Sequence, residues 1–241
     1  NGLTSLPELS GLTNLTTLNI NNNNGLTSIP DLSGLTNLND LYLGNTNSIE
    51  CIGGYPDQIT IEEDWPPVCE SVTYQVGDQV EGGIVFYVDS TGQHGLVAAL
   101  EDLTEGATYS SVCGCLGYEW GCSDTIIGVV NPTSYGVSIG TGYQNTMDIV
   151  NNGCVTDLGG ITAAQATLDY ESGGYNDWYL PSFDELVEMY NTIGNVGGFT
   201  SDGYWSSSEY NHGAWTVNFI YFSTSNYGKN YIHKVRPIRP F

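Results

Sequence analysis

Positive charge is what this sequence has least of. Against 27 Asp and Glu it carries four Lys and Arg, none before Lys229, for a net charge of −23. A polyanion meets strong repulsion from such a chain, so nucleic acid is excluded as a partner and an anionic membrane surface is disfavoured. Long apolar runs are missing too: no stretch approaches the roughly 20 residues that a membrane-spanning helix needs, so membrane insertion is not expected. Helix-forming Lys, Glu and Ala are scarce. In their place stand 31 Gly, 17 Tyr and 5 Trp among many Asn, Ser and Thr, material for strands, turns and ordered loops.

Six cysteines, Cys51, Cys69, Cys113, Cys115, Cys122 and Cys154, occur in loop-like surroundings. An even count of this kind reads as disulfides formed in an oxidising compartment, which implies a secreted or cell-surface location. Cys51 with Cys69 is the simplest pair, because both flank the end of a repeat segment; the other four then pair among themselves. No spacing fits a two-plus-two zinc pattern, and only His94, His212 and His233 are available to assist, so disulfides are preferred to metal. The acidic surplus reads first as a solvated surface; no cofactor is expected, although bound calcium is compatible with so many carboxylates.

Residues 3–48 carry a 23-residue repeat: Leu3-Thr-Ser-Leu-Pro7 aligns with Leu26-Thr-Ser-Ile-Pro30, and Gly11-Leu-Thr-Asn-Leu15 with Gly34-Leu-Thr-Asn-Leu38. Leu15, Leu18, Ile20 and Asn23 follow the spacing of leucine-rich repeats, as do Leu38, Leu41 and Leu43 with Thr46 in the Asn position. This resembles the leucine-rich-repeat family. Two copies bury their leucines only against neighbours, so a cap or a docked domain is required. The chain opens inside a repeat, and further copies are expected ahead of Asn1. From Glu50 to Val68 the period is lost, which marks a cap and linker; the expected division is repeats over 1–50, cap and linker over 51–72, and a compact domain over 73–241.

That domain opens with Gly82–Val88 and Leu96–Leu100, a β-hairpin, followed by aperiodic, disulfide-pinned loops over 104–142. Helices are expected over Asn145–Asn151, Ile161–Tyr170 and Ser182–Asn191. The last has Ser182 and Glu185 as a capping box and Phe183, Leu186, Val187 and Tyr190 on one face. Strands are expected over Tyr204–Tyr210, Ala214–Phe222 and Lys234–Ile238, the second from the alternation of Trp215, Val217 and Phe219 with polar residues.

Tyr175-Asn-Asp-Trp-Tyr-Leu-Pro181, Tyr204-Trp-Ser-Ser-Ser-Glu-Tyr210, Ala214-Trp215, Lys229 and Val235-Arg-Pro-Ile-Arg239 together resemble the variable proteins of diversity-generating retroelements and the related bacterial C-type-lectin-like surface domain. Gly82-Gly-Ile-Val-Phe-Tyr87 and Gly92-Gln-His-Gly95 fit the opening of that domain, so the likeness spans roughly residues 74–241. It implies an α+β, C-type-lectin-like fold of antiparallel strands, two or three short helices and many loops, preceded by the leucine-rich-repeat solenoid. It also implies diversification of the last strands and loops through Asn-type codons. Those codons do not reach Lys, Glu, Gln, Met or Trp, which between Glu209 and Val235 occur only at Glu209, Trp215, Lys229 and Lys234. Lys234, where the family pattern places a variable position, is a departure.

The residues staked as ligand-binding are Asn211, His212, Asn218, Tyr221, Asn226, Tyr227, Tyr231 and His233, with Glu209, Trp205, Trp215 and Arg236 as frame. Tyrosine gives contact area at low entropic cost, while Ser, Gly and Asn adapt their hydrogen bonds. The expected partner is a protein or glycan on another cell or surface; oligomeric state is left open. The four basic residues are expected to pair internally, with Glu185, Glu188 or Asp177 as partners.

Three rivals are weaker. Gly136-Val-Ser138-Ile-Gly140 matches a nucleophile elbow, with Asp148, Asp157 or Asp169 and His212 or His233 in hydrolase order, but its Gly-rich surroundings favour a chance match. Formylglycine-generating chemistry needs a cysteine arrangement not found here. Calcium-dependent sugar binding lacks both of its usual motifs, and Asn176-Asp177-Trp178 reads as structural. A spacer in a long adhesin or fibre shares the fold and location, and is the main alternative to ligand binding.

Overall fold

The computed structural model describes the whole chain except residues 1, 8, 47, 64, 70–71, 112–113, 129–136 and 201–202. It divides into two compact units, Asn1–Val72 and Thr73–Phe241. Cys113 and Gly136, one from the expected cysteine pairings and one from the elbow motif, lie outside the described residues.

In the first unit the repeat becomes two parallel ladders. Strand β1 (Thr17–Asn19) lies beside β3 (Asp40–Tyr42) with Leu18 opposite Leu41, and β2 (Ser28–Asp31) beside β4 (Cys51–Gly54) with Ile29 opposite Ile52. Each position thus stacks on its own copy, and Leu26, Leu32, Leu35 and Leu38 are wholly buried. Asn23 ties the turns together: its Nδ2 donates to Ile20 O at 2.7 Å and its Oδ1 accepts from Leu3 N at 2.8 Å. Thr46, in the same place one copy on, donates its hydroxyl to Leu43 O.

The repeat geometry outlasts the repeat sequence. Ile49 and Ile52 take the places of Leu26 and Ile29, and Glu50 N donates to Thr27 O at 3.0 Å, so β4 continues the ladder where the motif is no longer visible. A Cβ on Gly53 would stand 2.5 Å from Asp31 N, which is why the Pro of the earlier copies has become Gly. Only then does the cap begin: Gln58 Nε2 donates to the carbonyls of Leu35 and Leu38 at 3.0 and 2.7 Å, Tyr55 stacks on Trp65, and Cys51 is bonded to Cys69.

The second unit is strand-rich, with few helices, an α+β architecture. Strands β5 (Gln79–Val80), β6 (Gly83–Val88) and β7 (Gly95–Ala99) form one sheet with the final strand of the chain. Next come β8 (Thr108–Ser110) and β9 (Cys115–Glu119), helices α1 (Gly142–Asn151), α2 (Ala163–Leu168) and α3 (Phe183–Ile193), then β10 (Gly203–Tyr210), β11 (Gly213–Asn218) and β12 (Ser223–Gly228). Two short strands, β13 (Ile232–His233) and β14 (Ile238–Pro240), close the chain; the other two sheets run β10-β11-β12 and β13-β9-β8, and β14 joins the first beside β7.

Helix α3 has the full capping box of Ser182 and Glu185, and sets Leu186, Met189 and Ile193 against Phe86, Leu96, Val217 and Phe219. A second core gathers Trp120, Ile149, Ala163, Ala166 and Trp205 beneath α1 and α2. Trp178 is fully buried, as its Asn-Asp-Trp context implied.

Several boundaries differ from the sequence expectation. Strands β8 and β9 lie in the stretch read as loops, where neither strand is long enough to show a period. The strand expected to reach Phe222 stops at Asn218, whose Oδ1 accepts from Ile220 N and Tyr221 N at 2.9 and 3.2 Å; that turn sends the chain back as β12, a strand with no apolar alternation to announce it. Of the strand expected over Lys234–Ile238 only Ile238 lies in a strand, β14; β13 ends at His233, and between them Arg236 turns inward and Pro237 has no N–H for a ladder.

Candidate recognition surface

Strand β10 is the frame of this region. Its register against β11 shifts between Trp205 and Glu209, and the residues in the shift, Ser206, Ser207 and Ser208, are all buried. Their hydroxyls supply the hydrogen bonds that the ladder loses: Ser206 Oγ donates to Trp215 O at 2.9 Å, Ser207 Oγ to Pro181 O at 3.1 Å, and Ser208 Oγ accepts from Phe183 N at 2.9 Å. Ser206 thus ties β10 to β11, while Ser207 and Ser208 lock the sheet to the start of α3.

Each of the four cations is consumed inside the second unit. Lys229, 1 % exposed, pairs with the carboxylate of Glu209, donates to Thr125 O at 2.5 Å and sits 4.4 Å over the Trp120 ring. Glu209 also accepts from Ile127 N at 2.9 Å and from Gly128 N, so one buried carboxylate pins a loop, a strand and a lysine. Burial pulls the Lys229 ammonium below its ordinary pKa, against the pull of Glu209. Arg236 and Lys234 share Asp102, at 2.6 and 3.3 Å, and the Tyr204 hydroxyl donates to the same carboxylate at 2.9 Å. Arg239 holds Asp177 at 2.5 Å and also pairs with Glu81. Of the expected partners only Asp177 is used; Glu185 is spent in its capping box, accepting from Ser182 N at 2.6 Å and from Gly140 N at 2.8 Å.

The eight staked residues fall into three groups. Asn211 and His212 form the β10–β11 turn, both exposed, with Asn211 at φ 53° and His212 Nδ1 3.2 Å from Asp124 O. Asn226 reaches the same end, its Nδ2 donating to Tyr210 O at 3.2 Å. At the other end of the hairpin, about 17 Å away along six strand residues, Asn218 closes its turn and holds up Tyr221, the most exposed large hydrophobic side chain among the described residues of the unit at 84 %. Tyr227, Tyr231 and His233 form the third group, with ring centroids 5.8 and 4.6 Å from Tyr227.

That third group lines a groove of about 600 Å³ together with Tyr109, Leu158 and Asn230. Tyr109 is 64 % exposed, and sequence reasoning missed it because it stands on β8, in the stretch without a period. His233 is floor more than wall: its ring packs against Trp205 and Tyr227, its Nε2 is buried without a hydrogen-bond partner, and burial pulls its pKa down to about 4.

The hydrolase arrangement weighed for Ser138 is not seen among the described residues. Ser138 lies in a turn before α1, its carbonyl accepting from Thr141 N and Ser182 Oγ, and no histidine is hydrogen-bonded to a hydroxyl among the described residues. No cluster of three or more His, Cys, Asp or Glu side chains that could hold a metal ion is found among them, and no helix among them is long and apolar enough to cross a membrane. Cys122 is bonded to Cys154, and Cys115 is disulfide-bonded as well.

By fold, then, this is a strand-rich α+β chain with leucine-rich repeats at its start. A family model, Leucine Rich repeats (2 copies), matches residues 1–33. No curated protein matches the chain.

Proposed function

We propose that the chain is a non-catalytic recognition module, secreted or displayed at a cell surface, which captures a protein or glycan partner on β10–β12 and the segment up to His233. One observation carries this reading: exposed Tyr227 on β12, with exposed Tyr221 and Tyr231 in the turns at its two ends, belongs to a sheet whose frame is fixed by buried ion pairs and buried serines. Rigid aromatic anchors on a rigid base lose little entropy on binding. Within this reading Thr73–Phe241 is a C-type-lectin-like domain of the retroelement-diversified kind, and the repeats serve as stalk or second contact surface. The disulfides favour an oxidising compartment.

Sequencing the same locus in sibling strains tests the reading. Substitutions should concentrate at exposed positions such as Asn211, His212, Tyr221, Asn226, Tyr227 and Tyr231, while Trp205, Glu209, Trp215 and Arg236 stay fixed. Substitutions spread evenly over the second unit would sink it.

A further inference from the structure

The two edges of the β10-β11-β12 sheet are treated differently. Along β10 the outer side is covered: Trp205 N donates to Lys234 O at 2.9 Å, Lys234 N to Gly203 O at 3.1 Å and Ser207 N to Pro181 O at 2.7 Å. Along β12 no strand pairs with the outer side among the described residues. All of Ser223–Gly228 is exposed except the half-buried Ser225, and the pairing with β11 runs from Gly228 to Ser223 without a bulge.

Sheet edges are ordinarily guarded by charge, proline, a bulge or a covering segment, because unpaired main-chain groups invite another strand. Ser-Thr-Ser-Asn-Tyr-Gly has no charge and no proline. An antiparallel strand turns the N–H and C=O of alternate residues away from its neighbour, so β12 offers open donors and acceptors along its outer side up to Gly228, whose carbonyl already accepts from Tyr231 N at 3.0 Å.

We propose that β12 is a docking edge for an extended segment of a partner protein, which adds to the sheet as a further strand through main-chain hydrogen bonds, and that this segment is neutral or basic. The sign follows from the charge inventory. All four side-chain cations are paired internally, leaving a chain of net charge −23 with no free cation to receive an acidic segment. A second copy is disfavoured for the same reason, since it brings an equal negative charge. Main-chain pairing gives affinity that does not depend on the side chains of β12, so Asn226 and Tyr227 are free to set specificity. The proposal rests on the reading of this surface as a recognition surface, and adds how a partner is held there.

The test uses the intact chain, isotopically labelled, titrated with two synthetic peptides of alternating Thr and Val, one with lysine and one with glutamate at both ends. The lysine peptide should slow hydrogen exchange at alternate amides of Ser223–Gly228, and bind about tenfold tighter than the glutamate peptide. A variant with Tyr221→Ala, Tyr227→Ala and Tyr231→Ala should keep that protection. Were the variant to keep it while sibling sequences show no concentrated substitution, the side-chain reading would fail and the docking edge would stand. Exchange unchanged along β12 up to millimolar peptide overturns the proposal, as does self-association through β12 seen by sedimentation. Equal binding of the two peptides overturns the charge assignment.

Discussion

The two units solve the problem of holding a chain together by opposite means. Asn1–Val72 contains no Lys or Arg and relies on one apolar position stacked on its copy, Leu18 on Leu41 and Ile29 on Ile52. Thr73–Phe241 contains all four cations and buries most of their charge, with Lys229, Arg236 and Arg239 each under a tenth exposed. Periodic burial spreads stability over many equal contacts. Buried charge concentrates it in a few pairs whose partners are far apart in sequence.

The comparison predicts where single substitutions hurt most. Glu209→Ala leaves Lys229 buried without its counter-ion and frees the amides of Ile127 and Gly128, and should cost about 3–5 kcal/mol in denaturant unfolding. Adding Lys229→Met should restore much of that loss, because the uncompensated charge is gone. In the repeats, Leu38→Ala should cost about 2–5 kcal/mol with no second-site partner able to rescue it. If the Glu209 and Lys229 substitutions simply add, the pair is no more than two independent contacts, and the contrast between the units collapses.

These opposite means also decide what could be read in advance. Stacked copies are visible as a period, so the leucines, Asn23 and even Thr46 could be placed by spacing alone. The ladder through Ile49 and Ile52 was hidden because only two apolar positions of the motif survive there, with Gly53 and Gly54 where Pro and Asp stood before. In the second unit the capping box of α3 was legible, being local. By contrast, the Glu209–Lys229 and Arg236–Asp102 pairs join residues 20 and 134 apart, and no spacing rule announces them. Strand β12 escaped notice because both its faces are open, so it has none of the alternation that marks a half-buried strand.

A smaller effect tests the floor of the groove. Folded, His233 stays neutral down to about pH 4, whereas an unfolded histidine takes up its proton near 6.5. Between those values the unfolded chain binds the additional proton, so stability should fall as the pH drops through that window and be unaffected above it. The full shift corresponds to about 3 kcal/mol, and the measured loss should approach that size. His233→Phe should remove one proton from the pH dependence of unfolding. Parallel profiles for the two proteins would mean that the imidazole is hydrated and that the groove is deeper and wetter than its packing against Trp205 implies.

The smallest expected change in stability belongs to the residues proposed as recognition anchors. Tyr221 is 84 % exposed, Tyr231 53 % and Tyr227 39 %, so each loses little packing on truncation, and each Tyr→Ala substitution should move the unfolding free energy by no more than about 0.5 kcal/mol. Tyr227 is the exacting case, since its ring touches both Tyr231 and His233. A loss there of about 2 kcal/mol would make it part of the core and shrink the recognition surface to its two ends. With all three truncated, the melting temperature should hold while protein or glycan capture on arrays disappears. Such a separation of binding from stability is the behaviour expected of anchors on a frame fixed from beneath, whereas truncating a buried repeat leucine such as Leu38 should show its effect in stability first.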